Sequence, residues 1–511
     1  WTHGRGAWAL LKTSPALFVT PGTVSVTCQR GTTTAPPQVI TVSNRGGGTL
    51  SWTVSNNSNP VVTASPSVGM LAAGTSQPVN VTATCPSTAG VYPATLVFGG
   101  NGGSPTVPVS VVATYKGQYT PLPPARILDT RIGLGHAGAI ATQPVKIMVA
   151  GAPYSGVPSM TSSTPPSAAV INVTATNTSG APGSYLTVYP GPSQPTASNL
   201  NWSQGQTVAN LVEVALATDG SVTVFNAAGT ADVIFDVQGW VSTPGAGPAN
   251  PSLGLYNPVV PGRILDTRTP LGGHNRQMVK GEIYTLQLAG AGQGLVPPSG
   301  ANSVVLNLTE TNLSGTALDY LTVYPSDASQ PFASNLNFRA GETRANRVIV
   351  KLGATGAVKI FNALGSVDVI VDVGGWFTDG IAQTSGARFT GLSPSRILDS
   401  RDGASQYTLA LGPGSTYSPI VAGRGGVPPM DAVVPPTAVV MNVTSTDTTA
   451  ASFLTVYPSD ATLPLISDLN WPAGATIPNL VVVKLSPDGR ANLYNPGGSV
   501  DVIADVVGWY G

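Results

Sequence analysis

Arg126-Ile127-Leu128-Asp129-Thr130-Arg131 returns as Arg263-Ile264-Leu265-Asp266-Thr267-Arg268, and again as Arg396-Ile397-Leu398-Asp399-Ser400-Arg401. Each copy opens a block of roughly 130 residues, and the blocks match along their length. A variable, Gly-rich stretch follows the hexapeptide. Then come Val170 to Thr174, Leu186 to Pro190, Ser198 to Trp202, Asn210 and Val222 to Asn226, each with counterparts in the other two blocks. Every block closes on a strand such as Asp232-Val233-Ile234-Phe235-Asp236-Val237-Gln238-Gly239-Trp240, matched by strands ending at Trp376 and Trp509. Short Val/Thr/Ile/Tyr runs punctuated by Gly, Pro, Asn and Asp predict an all-β chain. About eight strands per block suit a two-sheet sandwich or jelly roll better than an open sheet. Blocks of this length can each bury a core, which predicts beads in a row.

The chain ahead of the first block reads differently. Residues 1–15 have no period and form a tail or docking segment. Residues 16–116 alternate in short strands, such as Gln38 to Val42, Leu50 to Val54 and Asn80 to Cys85. The predicted organisation is a sandwich at 16–116 and repeats at 117–245, 246–383 and 384–511. Polar linkers fall at Ser242 to Leu253 and Asp379 to Ala387.

Composition excludes several classes. Of 511 residues only 9% are charged and the formal net charge is zero, so no electrostatic case exists for nucleic acid or an anionic membrane. No apolar run is long enough for a membrane span. The chain begins at Trp1, which reads as a processed secreted chain or a fragment. The sparse Lys and Glu are compatible with an extracellular, cell-surface setting.

Three kinds of recurring residue could carry chemistry. Asp236, Asp372 and Asp505 sit mid-strand between apolar neighbours, and a buried carboxylate needs a partner. The hexapeptides supply candidates: Arg126, Asp129 and Arg131; Arg263, Asp266 and Arg268; Arg396, Asp399 and Arg401. On period 2, Arg126 falls on one face and Asp129 with Arg131 on the other. The expectation is a structural ion pair, bidentate, between Asp236 and one of the two arginines. The competing reading, Asp129 with Asp236 as an acid/base pair, would require three copies of one active site with no cleft signature. Trp202, Phe338 and Trp471 recur as aromatics and are candidate ligand-facing rings for sugars. The sequons at Asn172, Asn307 and Asn442 lie inside strands, where a glycan acceptor would be hard to reach. His136 and His274 have no counterpart in the third block, which argues against zinc or a Ser–His–Asp site. No cofactor, metal or catalytic residue is expected, and the chain reads as non-enzymatic.

Two resemblances add to this. Thr41-Val42-Ser43-Asn44, then Gly46, then Leu50-Ser51-Trp52 resembles bacterial extracellular immunoglobulin-like modules. Cys28 and Cys85 flanking Trp52 resemble the Cys–Trp–Cys plan of immunoglobulin domains. In a secreted chain that resemblance implies a disulfide worth about 3–4 kcal/mol. The ordered series Arg-Ile-Leu-Asp-Thr-Arg to Asp-Val-x-Gly-Trp resembles a repeat domain of secreted actinobacterial and related bacterial proteins. There the repeats are accessory modules, often attached to hydrolases or surface proteins. The low charge, the Thr/Asn-rich strands and the tandem blocks suit an extracellular structural protein assembling into a filament, sheath or surface layer. The alternative is a carbohydrate-binding or adhesion module. The implied partners are further copies, other surface proteins or glycans.

Overall fold

The computed structural model describes residues 14–28, 38–56, 62–84, 90–113, 117–180, 183–243, 250, 252–402 and 406–511. It is all-β, with two short 3-10 turns, and divides into two compact units, Trp1–Lys116 and Gly117–Gly511.

The first unit is an immunoglobulin-like sandwich. One sheet orders Leu17–Thr20, Gln38–Asn44, Ser76–Ala83 and Val62–Ser65. The other orders Val24–Cys28, Thr106–Ala113, Gly90–Gly100, Leu50–Asn56 and Val68–Leu71. Val24–Cys28 runs parallel to Thr106–Ala113; the other pairings are antiparallel. Trp52 and Phe98 lie buried with ring centroids 6.3 Å apart. The Asn-x-Gly signature has a local cause. Asn44 Oδ1 accepts from Ala16 N and Gly46 N while its Nδ2 donates to Gly48 O and Leu71 O. A Cβ at Gly46 would lie 2.2 Å from Ser14 O. The expected Cys28–Cys85 disulfide and the 1–15 tail fall outside the described residues and side chains, apart from Ser14 and Pro15.

In the second unit each repeat contributes eight described strands. In the first repeat they are Tyr119–Asp129, Val145–Met148, Pro166–Thr176, Gly183–Tyr189, Leu200–Ser203, Val208–Ala215, Ser221–Asn226 and Asp232–Ser242. The second repeat runs from Leu253–Asp266 to Ser366–Asp379, the third from Phe389–Asp399 to Asp501–Tyr510. In all three, one sheet orders the strands first-eighth-third-sixth and the other second-seventh-fourth-fifth. That interleaving is the jelly roll. Each sandwich has its own apolar core.

The beads-in-a-row expectation fails. A further core cluster is built from all three repeats at once: Tyr119, Val170 and Leu211; Tyr256, Val305 and Ile349; Phe389, Val440 and Leu480, among others. These residues come from the first-eighth-third-sixth sheets, which are therefore buried on both faces and meet at a pseudo-threefold axis. The lead-in segments also interlock: Gly117 pairs with Phe389, and Tyr256 with Ala387. The three repeats form one closed body because these inner sheets carry apolar residues on both sides, and only neighbouring repeats can cover the second side.

Candidate functional site at the inter-repeat axis

Two sets of recurring polar residues are structural in geometry. The first is the hexapeptide cluster. Arg126 and Asp236 lie opposite each other in register. Arg126 Nε donates to Asp236 Oδ1 at 2.9 Å and Nη2 to Oδ2 at 3.1 Å. Arg126 Nη1 also reaches Asp129 Oδ2 at 3.1 Å, and Arg131 holds Asp129 through Nε and Nη2 at 2.8 and 2.6 Å. Strict alternation places Arg126 and Asp129 on opposite faces. A register shift between Arg126 and Leu128 cancels that, so Ile127 and Leu128 both enter the core while Arg126 and Asp129 meet. The same network links Arg263, Asp266, Arg268 and Asp372. It recurs with Arg396, Asp399, Arg401 and Asp505. Burial pushes the Asp236, Asp372 and Asp505 carboxyls up against the pull of the arginine, Asp372 to about 6. Hydrogen bonds from Arg131, Arg268 and Arg401 hold Asp129, Asp266 and Asp399 below the ordinary value. The fifth hexapeptide residue ties down the start of the closing strand. Thr130 Oγ1 donates to Asp232 Oδ1 at 2.6 Å and accepts from Val233 N at 3.0 Å.

The second set is a ring of asparagines around the axis. Asn172 Nδ2 donates to Ser334 O and Asn307 Nδ2 to Ser467 O, both at 2.6 Å; Asn442 Nδ2 donates to Ser198 O. Asn346 Nδ2 donates to Asn172 Oδ1, Asn479 to Asn307, and Asn210 to Asn442, at 2.9–3.0 Å. The circuit is completed by Leu211 N to Asn346 Oδ1, Arg347 N to Asn479 Oδ1 and Leu480 N to Asn210 Oδ1. Every bond crosses from one repeat to the next, and the third repeat returns to the first. Asn210 therefore joins repeats, bonding Asn442 and Leu480 as well as Asn199 O of its own repeat. The three sequon asparagines are spent inside the body and are unreachable as glycan acceptors.

Below the ring lies an aromatic plug. Tyr119, Phe377, Tyr256, Tyr510 and Phe389 succeed one another with centroids 4.4–5.2 Å apart. The glycine of the closing motif makes room for it. A Cβ at Gly239 or Gly375 would sit 2.4 Å from the ring of Tyr119 or Tyr256, and at Gly508 2.3 Å from Phe389.

At two sites on the axis charged residues replace uncharged ones of the other repeats, and the repeat motifs do not announce them. Where the others have Leu211 and Leu480, the second repeat has Arg347; where the others have Asn199 and Asn335, the third has Asp468. Arg347 Nη2 meets Asp468 Oδ1 at 2.5 Å, and Arg347 Nε donates to Leu480 O at 3.1 Å. Asp468 Oδ2 still accepts Val456 N, the role that Asn199 and Asn335 play for Val188 and Val323. The signal was present as a paired exception, one charge of each sign. The second site is Glu213, matched by Ile349 and Val482. It is fully buried, accepts one bond from Tyr510 Oη at 2.9 Å, and Oε2 has no partner. Burial pushes its carboxyl up to about 8.

The proposed ligand-facing aromatics do not face ligand. Trp202, Phe338 and Trp471 are 5%, 2% and 3% exposed, inside the three jelly-roll cores. Their strands alternate so that Leu200 and Trp202 point inward together. Phe332, by contrast, is exposed, with its ring 4.8 Å over the Arg126 guanidinium of the preceding repeat. Among the described residues no group of His, Cys, Asp and Glu could hold a metal ion. His274 is tied to Glu282 and to Arg276 O. No helix among them is long and apolar enough to cross a membrane.

No family model and no curated protein matches this chain. Solved structures do match. WR4, a C. elegans MSP family member, is 11% identical, with 19% of this chain and 97% of that one covered and a TM-score of 0.16. The YadV chaperone is 11% identical over 44% and 96%, TM-score 0.16. The tandem CBM22-1-CBM22-2 domain of Paenibacillus barcinonensis Xyn10C is 12% identical over 50% and 98%, TM-score 0.15. Likenesses at these TM-scores transfer neither architecture nor activity to this chain.

Proposed function

We propose that this chain is a non-enzymatic, extracellular structural protein of the cell surface, of the secreted actinobacterial-type repeat class, and that copies of it build a larger layer or sheath. One observation carries the reading: the recurring arginines, aspartates and axial asparagines of the repeat motifs are consumed in holding strands and repeats together. Arginine and aspartate close each sandwich, asparagine joins the repeats, and glycine admits the axial rings. A chain selected for acid/base chemistry would hold some of its recurring charged groups in reserve for substrate, whereas those of the hexapeptide and closing strand are paired. The building unit is the three-repeat body, not a rod of separate beads. Negative-stain microscopy of native material tests this. Ordered arrays are expected; dispersed particles at every concentration would refute the assembly. The carbohydrate-binding alternative loses the carriers first assigned to it, since Trp202, Phe338 and Trp471 are buried.

A further inference from the structure

We propose that each repeat carries a shallow platform for a neutral saccharide on the outward face of its second-seventh-fourth-fifth sheet. In the first repeat Leu186, Val188, Val222 and Val224 point into the core. Their neighbours Tyr185 and Phe225 therefore point outward. The two rings lie 6.3 Å apart at 60°, Tyr185 is 37% exposed and Phe225 is half-buried. The second repeat repeats the pair with Tyr320 and Phe361, 6.2 Å apart at 59°. The third has Phe453 and Tyr494 at the same two positions, both half-buried. Register fixes the equivalence: Thr187 opposes Phe225, Thr322 opposes Phe361, and Thr455 opposes Tyr494.

Beside each pair stands an amide in the same row of the sheet. Tyr185 opposes Asn201, Tyr320 opposes Asn337, and Phe453 opposes Asn470. Each amide is half-buried, and its Oδ1 accepts a serine hydroxyl, from Ser198, Ser334 or Ser467, at 2.9–3.1 Å. That bond orients the amide and leaves its Nδ2 hydrogens without a partner among the described residues. Two ring surfaces beside an oriented N–H₂ donor match the alternating C–H faces and hydroxyl edges of a pyranose. None of the nine positions carries a charge. On the strands alongside, Lys146 is paired to Asp219, and Lys359, two residues from Phe361, is matched by the uncharged Thr223 and Asn492 in the other repeats, so no charge recurs across the three faces. The site class is therefore neutral sugar, not an acidic one. Three such faces on one closed body bind weakly one at a time and act together on a polymer.

Affinity electrophoresis of the full chain through gels containing cellulose, chitin or mannan tests this. Retardation by at least one polymer is expected, unchanged by raised salt and lost at least tenfold in the combined variant Tyr185→Leu, Tyr320→Leu, Phe453→Leu at unchanged Tm. If that variant melts early, the set Asn201→Ser, Asn337→Ser, Asn470→Ser, which leaves the cores intact, is read for the same loss. No retardation by any of the three polymers, retardation abolished by salt, or retention by the variants equal to the parent would overturn the proposal. Microscopy of native arrays is a separate readout, so failure here leaves the structural reading standing.

Discussion

The two sheets of one jelly roll obey different rules. In the outer sheet, Val145–Met148 shows one buried position in four, and Leu200–Ser203 alternates buried and open. In the inner sheet, Pro166–Thr176 and Asp232–Ser242 are buried almost throughout. The outer sheet answers to one core and tolerates any polar residue on its free face. The inner sheet answers to two, so each polar group in it must find a partner at a fixed distance and direction. Polar residues on the outer face do not decide how the repeats pack; polar residues on the inner face are instructions about which repeat goes where.

Breaking those instructions should cost in proportion to burial. The largest effect is expected at Arg347 and Asp468. Asp468→Asn keeps the bond from Val456 N but strands a buried guanidinium, and Arg347→Leu strands a carboxylate; each should cost about 3–5 kcal/mol. The double variant restores the composition of the other repeats and should return most of that loss in urea unfolding. Additive losses would break the comparison.

Glu213 gives a pH dependence of known sign. Its folded-state value is raised, to about 8, above the ordinary carboxyl value. Its neutral form is therefore the one the fold favours. Its contribution is fully present below about pH 4.5 and is lost as pH rises toward 8. Glu310, pushed up to about 9 by burial, acts in the same direction. The Tm should fall between pH 5 and pH 9, by an amount on the order of several kcal/mol in stability. Glu213→Gln should flatten part of that slope, and a slope left unchanged would contradict the assignment.

Next comes the hexapeptide. Asp236→Asn should cost about 2–4 kcal/mol. Asp505→Asn should cost less, because the Arg396 side chain is 28% exposed against 14% for Arg126. Equal urea midpoints for the two would remove the link to burial. Asn346→Ala leaves Asn172 Oδ1, Asn335 O and Leu211 N without their partner and should cost about 2–3 kcal/mol. The smallest effect belongs to the outer sheet: Lys146→Ala removes an exposed ion pair and should leave the urea midpoint unchanged within error.

Much of this was legible before any coordinates. Eight strands in each block, the mid-strand aspartate and its bidentate arginine all follow from alternation and from the cost of an unpaired buried charge. Three things were not legible, each for a physical reason. The bulge between Arg126 and Leu128 is a shift of one residue that no hydrophobic pattern marks. Association of the repeats was hidden because a strand buried on both faces looks the same whether its second cover is a loop or another domain. Yet Tyr119, Tyr256 and Phe389 each stand seven residues before a hexapeptide arginine. Such regularity outside the named motif could have pointed to a shared surface. The tryptophans were misassigned because recurrence alone does not say which face of a strand a ring occupies.

The Arg347–Asp468 pair also says what joining three repeats in one chain makes possible. In an assembly of three identical chains, an arginine at this position would appear three times around the axis, each copy repelling the others by about 4 kcal/mol at close range. Within a single polypeptide the copies mutate independently, so one repeat can hold a cation, the next its anion, and a third neither. Covalent linkage thus releases the axis from symmetry, and the shared core can acquire features that no homotrimer could carry.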